Sequence, residues 1–161
     1  MKKLILCIAL LLSCVIASAK SGKDIYKKYS GKEDVDAVYI SPAMFKMMGK
    51  IPDMEIEDSD VNLTSVIKSL DGLYVIDSEN LSVNLRLVSD VEKLAEASKY
   101  ELLMEANDAG EKTKMYVMSE GDYILSFMLL TIDSDECAFI CIDGKMLRDE
   151  MMALIGQAVA E

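Results

Sequence analysis

The sequence predicts an α+β domain: a largely antiparallel sheet with its helices on one face, in the order βααβαββββα. Three observations carry that expectation. From Tyr100 onward apolar residues recur with a period of two in successive runs, YELLMEA, TKMYVMS, YILSFMLLTI and CAFICID. The turn signals between those runs, DAGEK, EGD and DSDE, are short enough to force antiparallel hairpins. Elsewhere apolar residues keep helical spacing, and no repeat, low-complexity tract or Pro/Gly-rich linker divides the chain.

Residues 1–19, MKKLILCIALLLSCVIASA, read as a signal peptide. Lys2 and Lys3 form the basic start, and Leu4 to Ile16 an apolar core too short to span a bilayer. Ala17-Ser18-Ala19 then supplies the small-x-small cleavage pattern before Lys20. A second reading makes Leu11-Leu12-Ser13-Cys14 a lipobox, with Cys14 acylated as the new N-terminus. Leu12 is a poor residue two places before the cysteine, and Val15-Ile16 continues the apolar run. Soluble export is therefore preferred, and either reading places the mature chain in the periplasm or cell envelope.

Residues 20–34 are charged, weakly patterned and expected to be a mobile or partly helical lead-in to a single domain at 35–161. VDAVYI (35–40) is β-rich and reads as the first strand. Ser41-Pro42 then suits an N-cap followed by proline at the first helical position, giving a short helix to Met48. Asn62 would cap a second helix in which Leu63, Val66, Ile67 and Leu70 share one face, with Gly72 as its stop. LYVID (73–77) reads as a strand. In NLSVNLRLVSDVEKLAEAS, Leu81, Val83, Leu85 and Leu87 alternate like a strand, but Leu81, Leu85, Val88, Val91, Leu94 and Ala95 keep one helical phase. A single helix over about 80–98 is expected. After the four strands, Asp143-Gly144 is expected to end the sheet. Met146, Leu147, Met151, Leu154, Ile155 and Ala158 then stripe a last amphipathic helix.

The exported start, VYISPAMFKMM, LDGLYVI, KYELLMEA and the late strand–Asp-Gly–helix ending resemble the domain of unknown function 4252 family. Its members are small exported proteins, often lipoproteins, mainly of Bacteroidetes-type bacteria. The resemblance covers nearly all of residues 24–158. It implies an envelope location and an α+β fold, and it carries over neither an activity nor functional residues.

Composition narrows the functions further. The chain has 28 acidic and 17 basic residues, a formal net charge of −11, and loses two cations with the signal. Phosphate backbones and anionic lipid surfaces repel such a chain, so nucleic acid is not an expected partner, and the membrane is reached only through a lipid anchor. There is no histidine, which removes Ser-His-Asp, Cys-His and His-based zinc arrangements, and no phosphate-cradling glycine loop occurs. Cys137 and Cys141 would point to one face of a strand, about 13 Å apart at roughly 3.3 Å per residue. That is too far for a disulfide, so both are expected to be small buried hydrophobes.

SPAMFKMMGKIPDMEIEDSD (41–60) raises the question of metal. Met44, Met47 and Met48 share a helical face, and clustered thioethers hold Cu(I) outside the cytoplasm. Methionine is also a flexible core filler, and the core reading is preferred here. Asp58, Asp60 and Asn62 begin an EF-hand pattern that fails at Leu63 and Ser69, where glycine and glutamate belong. Two sequons, at Asn62 and Asn80, fit helix starts. No cofactor is expected. The preferred reading is a non-enzymatic binding module whose partner is an envelope protein or a second copy of itself; the alternative is copper handling through Met44, Met47 and Met48. On the sheet, Tyr100, Leu102, Met104 and Ala106 are expected under the helices. Leu103, Tyr116 and Met118 are expected on the outer face as a partner-binding patch rimmed by Glu101, Glu105 and Lys114.

Overall fold

The computed structural model describes residues 21–48 and 63–153. Its elements are α1 (Gly22–Tyr29), β1 (Val35–Ile40), α2 (Pro42–Met48), α3 (Leu63–Ser69), β2 (Leu70–Ser78) and α4 (Leu81–Ala97), then β3 (Glu101–Asp108), β4 (Glu111–Glu120), β5 (Tyr123–Ile132), β6 (Cys137–Leu147) and a helical segment α5 (148–153). The strands form one six-stranded sheet, ordered β1-β2-β6-β5-β4-β3, and every neighbouring pair is antiparallel. The α+β class and the antiparallel sheet are as the sequence predicts.

Local chemistry sets the elements. Asn80 caps α4: its side-chain oxygen accepts from the backbone N–H groups of Ser82 and Val83, satisfying donors that a helix start leaves open. The β3–β4 turn is Ala109-Gly110, both with positive φ (46° and 107°), the pair of left-handed residues that matches strand twist in a tight hairpin.

Three boundaries depart from expectation. Residues 22–29 are not a mobile lead-in but a helix whose Ile25 and Tyr29 are buried in the main core. Ser21 caps it, accepting from the backbone of Asp24. The charges that obscured its pattern are carried by Lys23 and Lys27, which are exposed, and by Lys28, which reaches Asp90 beside Tyr29. The second short helix ends at Ser69, and Leu70 and Gly72 already belong to β2, so Gly72 is no stop signal; its cap Asn62 lies outside the described residues. At the other end, Asp143-Gly144 does not end the sheet. β6 runs on to Leu147 and pairs Met146 with Ile124 and Leu147 with Tyr123, across an irregularity that follows Ser126↔Asp143. Gly144 is required there because a Cβ would collide with the Ser69 carbonyl and with Leu70. Met146 and Leu147 are therefore strand residues, and of the predicted terminal helix residues 148–153 are described.

The core has two parts, one on each face of the sheet. On the first face α1 and α4 bring Ile25, Tyr29, Leu87, Val91 and Leu94 against Tyr74, Ile76, Tyr116, Met128, Leu130 and Phe139. On the second, Met151 of α5 packs with Val117, Ile124, Phe127 and Met146. The sequence reading put all helices on one face; α1 and α4 do share one, but α5 packs Met151 against the other. The first face is also pinned by polar contacts. Lys28 pairs with Asp90, and Tyr29 donates to the same carboxylate at 2.6 Å, tying α1 to α4. Burial opposes ionisation of Asp90, but the hydrogen bonds from Lys28 and Tyr29 outweigh it and hold the carboxyl below its ordinary range. Lys114 of β4 pairs with Glu92 of α4 in the same way.

Candidate functional site

Strand pairing decides which side chains share a face. Val38 pairs with Val75, Val75 with Ile140, Ile140 with Leu129, Leu129 with Met115 and Met115 with Met104. Residues directly opposite in an antiparallel ladder lie on the same side, so these form one unbroken apolar row with a member from every strand. Ile142 and Val117, in phase with Ile140 and Met115, belong to the core part under α5. The row therefore lies on the face away from α1 and α4. Its members are only partly buried, and Val38 is 53 % exposed. On the other side of the same strands the central residues Ile76, Phe139, Cys141, Leu130 and Met128 are fully buried.

Unequal helical cover accounts for the difference. Residues of β5 and β6 are apolar on both faces, as ILSFMLL and CAFICI show. Both faces of such strands need covering; α1 and α4 cover the first, and on the second, among the described residues, Met151 of α5 packs at one end, with Met115 and Leu129 against that cluster, and leaves the row partly exposed. Next to the row lie Asp36 and Asp77, themselves directly opposite each other. With Lys32, Asp34, Val35 and Glu79 they line a surface depression of about 260 Å³.

The expected patch of Leu103, Tyr116 and Met118 does not form. Tyr116 is 8 % exposed and packed in the helix-covered core, Met118 is partly buried and Leu103 is exposed. The cause is a register shift between Leu102 and Met104. Leu102 pairs with Tyr116 on the helix side, whereas Met104 pairs with Met115 on the other, so the row Tyr100–Leu102–Met104–Ala106 is split between faces. A bulge of this kind leaves no mark in a period-two count. The missed residues had a signal of another sort, namely the strands that are apolar on both sides.

The methionines also differ from expectation. Met44 is 49 % and Met47 67 % exposed, Met48 is partly buried, and the residue that α2 buries is Phe45. Met44 and Met47 are thus not core filler. Among the described residues no group of three or more Cys, Asp or Glu is placed to hold a metal. Cys14 lies outside the described residues.

One interior cluster has the residue types of a catalytic site. Tyr100 donates to Ser126 Oγ at 2.8 Å, Ser126 donates to Asp143 Oδ1 at 2.7 Å, and the Cys141 thiol lies 3.5 Å from the same oxygen. Cys137 and Cys141 are free and buried, as expected. Burial, reinforced by Asp143, pushes the Cys141 thiol far above its usual range, and burial takes Cys137 up to about 11. Protonated thiols are neither nucleophiles nor metal ligands. Ser126 is 1 % exposed, and its proton already points at Asp143 with no imidazole to take it. Gly22 of α1 seals the site, since a Cβ there would meet Cys141. The cluster bolts the start of β3 to β5 and β6 with satisfied hydrogen bonds.

Compared with known proteins, residues 28–154 match the family model described as Domain of unknown function (DUF4252). No curated protein matches, and no solved structure matches.

Proposed function

The chain belongs to the domain of unknown function 4252 family, and from its own surfaces we propose that it is a non-enzymatic binding module of the bacterial cell envelope that docks a protein on the open sheet face. The observation that carries this reading is the six-strand row from Val38 to Met104, an apolar strip left partly uncovered while the centre of the opposite face is buried under α1 and α4. Contiguous apolar surface of this kind marks interaction sites on exported monomeric domains. Export supports the setting: the basic start, short apolar core and Ala-Ser-Ala pattern of residues 1–19 fit a signal peptide.

A photo-crosslinking residue at position 140, in cells expressing the full chain, tests the reading. A discrete adduct is expected from position 140 and none from position 96 on the outer side of α4. Absence of an adduct from positions 140, 75 and 104 alike would refute the docking face. The mature N-terminus, read by mass spectrometry, is expected at Lys20; an acylated Cys14 would instead make the protein a lipoprotein.

The exposure of Met44 and Met47 favours a second reading, copper handling. Two solvent-facing thioethers three residues apart, with the partly buried Met48 four from Met44, are available to Cu(I) in a way that buried ones are not. Stoichiometric Cu(I) binding that disappears in Met44→Leu with Met47→Leu would establish it; no binding above that of the double variant would end it.

A further inference from the structure

The docking face also carries a pattern of charge, and this inference rests on the docking reading above. Two acidic pairs lie to the same side of the apolar row, Asp36 and Asp77 next to it at one end and Asp108 and Glu111 one row further out at the other. Asp36 and Asp77 lie directly opposite on β1 and β2, and Asp108 and Glu111 directly opposite on β3 and β4. Like charges in that position weaken a strand pair, and among the described residues none of these four has an ion pair. The sheet's basic residues Lys112 and Lys114 are on the helix side, paired with Glu105 and Glu92. No strand residue in register with the row is Lys or Arg. Between the acidic pairs stand small neutral residues, Ala106, Thr113, Thr131 and Ala138, that leave room for a flank of a bound segment.

We infer that the open sheet face binds a cationic amphipathic polypeptide, whose apolar stripe lies on the row and whose Lys or Arg residues sit between Asp36 and Asp77 at one end and near Asp108 and Glu111 at the other. Lys32 lines the same depression as Asp36 and Asp77 without pairing to either, and with Asp34 and Glu79 also there the acids outnumber it and gain from an incoming cation. A second copy of this chain is a poor occupant, because a symmetric contact would set these acids against their own kind on a chain of net charge −11. The row crosses five strand intervals, roughly 24 Å at about 4.8 Å each, which a helix of about 16 residues spans.

The test uses the mature protein at physiological salt and a fluorescently labelled 16-residue Leu/Lys amphipathic peptide, followed by anisotropy. A Leu/Glu peptide of identical spacing is the counter-probe. Both Asp36→Asn with Asp77→Asn and Val75→Thr with Ile140→Thr are expected to weaken the Leu/Lys peptide about tenfold or more. Glu96→Gln with Glu120→Gln, which removes as much charge elsewhere, is expected to change it less than twofold. Should the threonine pair fail to fold, Met104→Gln on the edge strand replaces it. Equal losses from all pairs would reduce the binding to diffuse charge and overturn the site. Equal affinity for the Leu/Glu peptide, or a homodimer abolished by Ile140→Thr, would overturn the partner's chemistry. A surviving crosslink at position 140 in those cases would show that the docking reading stands and only the cationic partner fails.

Discussion

The two faces of the sheet are made from the same strands and differ in what covers them. Phe139 and Ile140 are consecutive in β6; Phe139 is fully buried under α1 and α4, and Ile140 is partly open on the far side. The helix-covered face also holds the ion pairs Lys28–Asp90 and Lys114–Glu92 and the Tyr100–Ser126–Asp143 chain. The open face has an apolar row with acids to one side of it that make no ion pair among the described residues. The larger core and the polar ties are thus on one side, and the proposed docking surface is on the other.

The sharpest way to break that comparison is to truncate neighbours across the sheet. Phe139→Ala is expected to cost about 3–5 kcal/mol, from lost burial and the cavity left behind. Ile140→Thr keeps the β-branched shape on a partly exposed position and is expected to cost about 1 kcal/mol or less. Urea unfolding of both variants measures the gap, and equal losses would mean that the second face is as closed as the first. Tyr116→Glu belongs with Phe139→Ala: a carboxylate in the helix-covered core is expected to prevent folding.

Next in size is Gly22→Ala. Its Cβ would meet Cys141 and lift α1 from the sheet, at a cost of about 1–3 kcal/mol by overpacking. A loss confined to thermal stability, with peptide binding to the open face unchanged, would sharpen the division between faces.

A smaller effect is expected from pH. The folded-state pKa of Asp90 is held low by Lys28 and Tyr29. Its contribution is therefore present above the unfolded carboxyl value of about 4 and is lost as pH falls through the lower folded value. Asp90→Asn is expected to lose about 1 kcal/mol at pH 7, discounted for partial exposure, and to show a flatter decline between pH 5 and pH 3. A decline as steep as that of the unmodified protein would assign the acid sensitivity to other carboxylates. Smallest of all, Met44→Leu with Met47→Leu is expected to leave stability within about 0.5 kcal/mol, since both side chains face solvent.

How much of this was legible in the sequence varies with the kind of signal. The helix over 81–97, with its Asn80 cap, and the hairpins of β3 to β6 follow from period and turn chemistry acting locally. The α1 helix was hidden because eight residues with several lysines carry too few apolar positions to establish a period. The run of β6 past Asp143-Gly144 was hidden because the glycine serves a close approach to Ser69 and not a turn. The exposed patch was misplaced for one reason: the bulge at Leu103 exchanges the faces of β3, and the identity of the covered face is decided by long-range packing of α4. The Asp36–Asp77 pair depends on register, which joins residues some forty positions apart in sequence only once β1 and β2 are aligned.

Methionine oxidation footprinting reads both faces at once. Met104 and Met115 lie on the open row, while Met128 and Met146 are 0 % and 1 % exposed. With dilute peroxide and peptide mass spectrometry, the purified protein is expected to oxidise at Met104 and Met115 well before Met128 and Met146. In the intact envelope, Met104 and Met115 are expected to be protected, because the docked partner covers them. Equal oxidation of Met104 and Met115 in the purified and envelope-bound protein would contradict the claim that this face is where the protein binds.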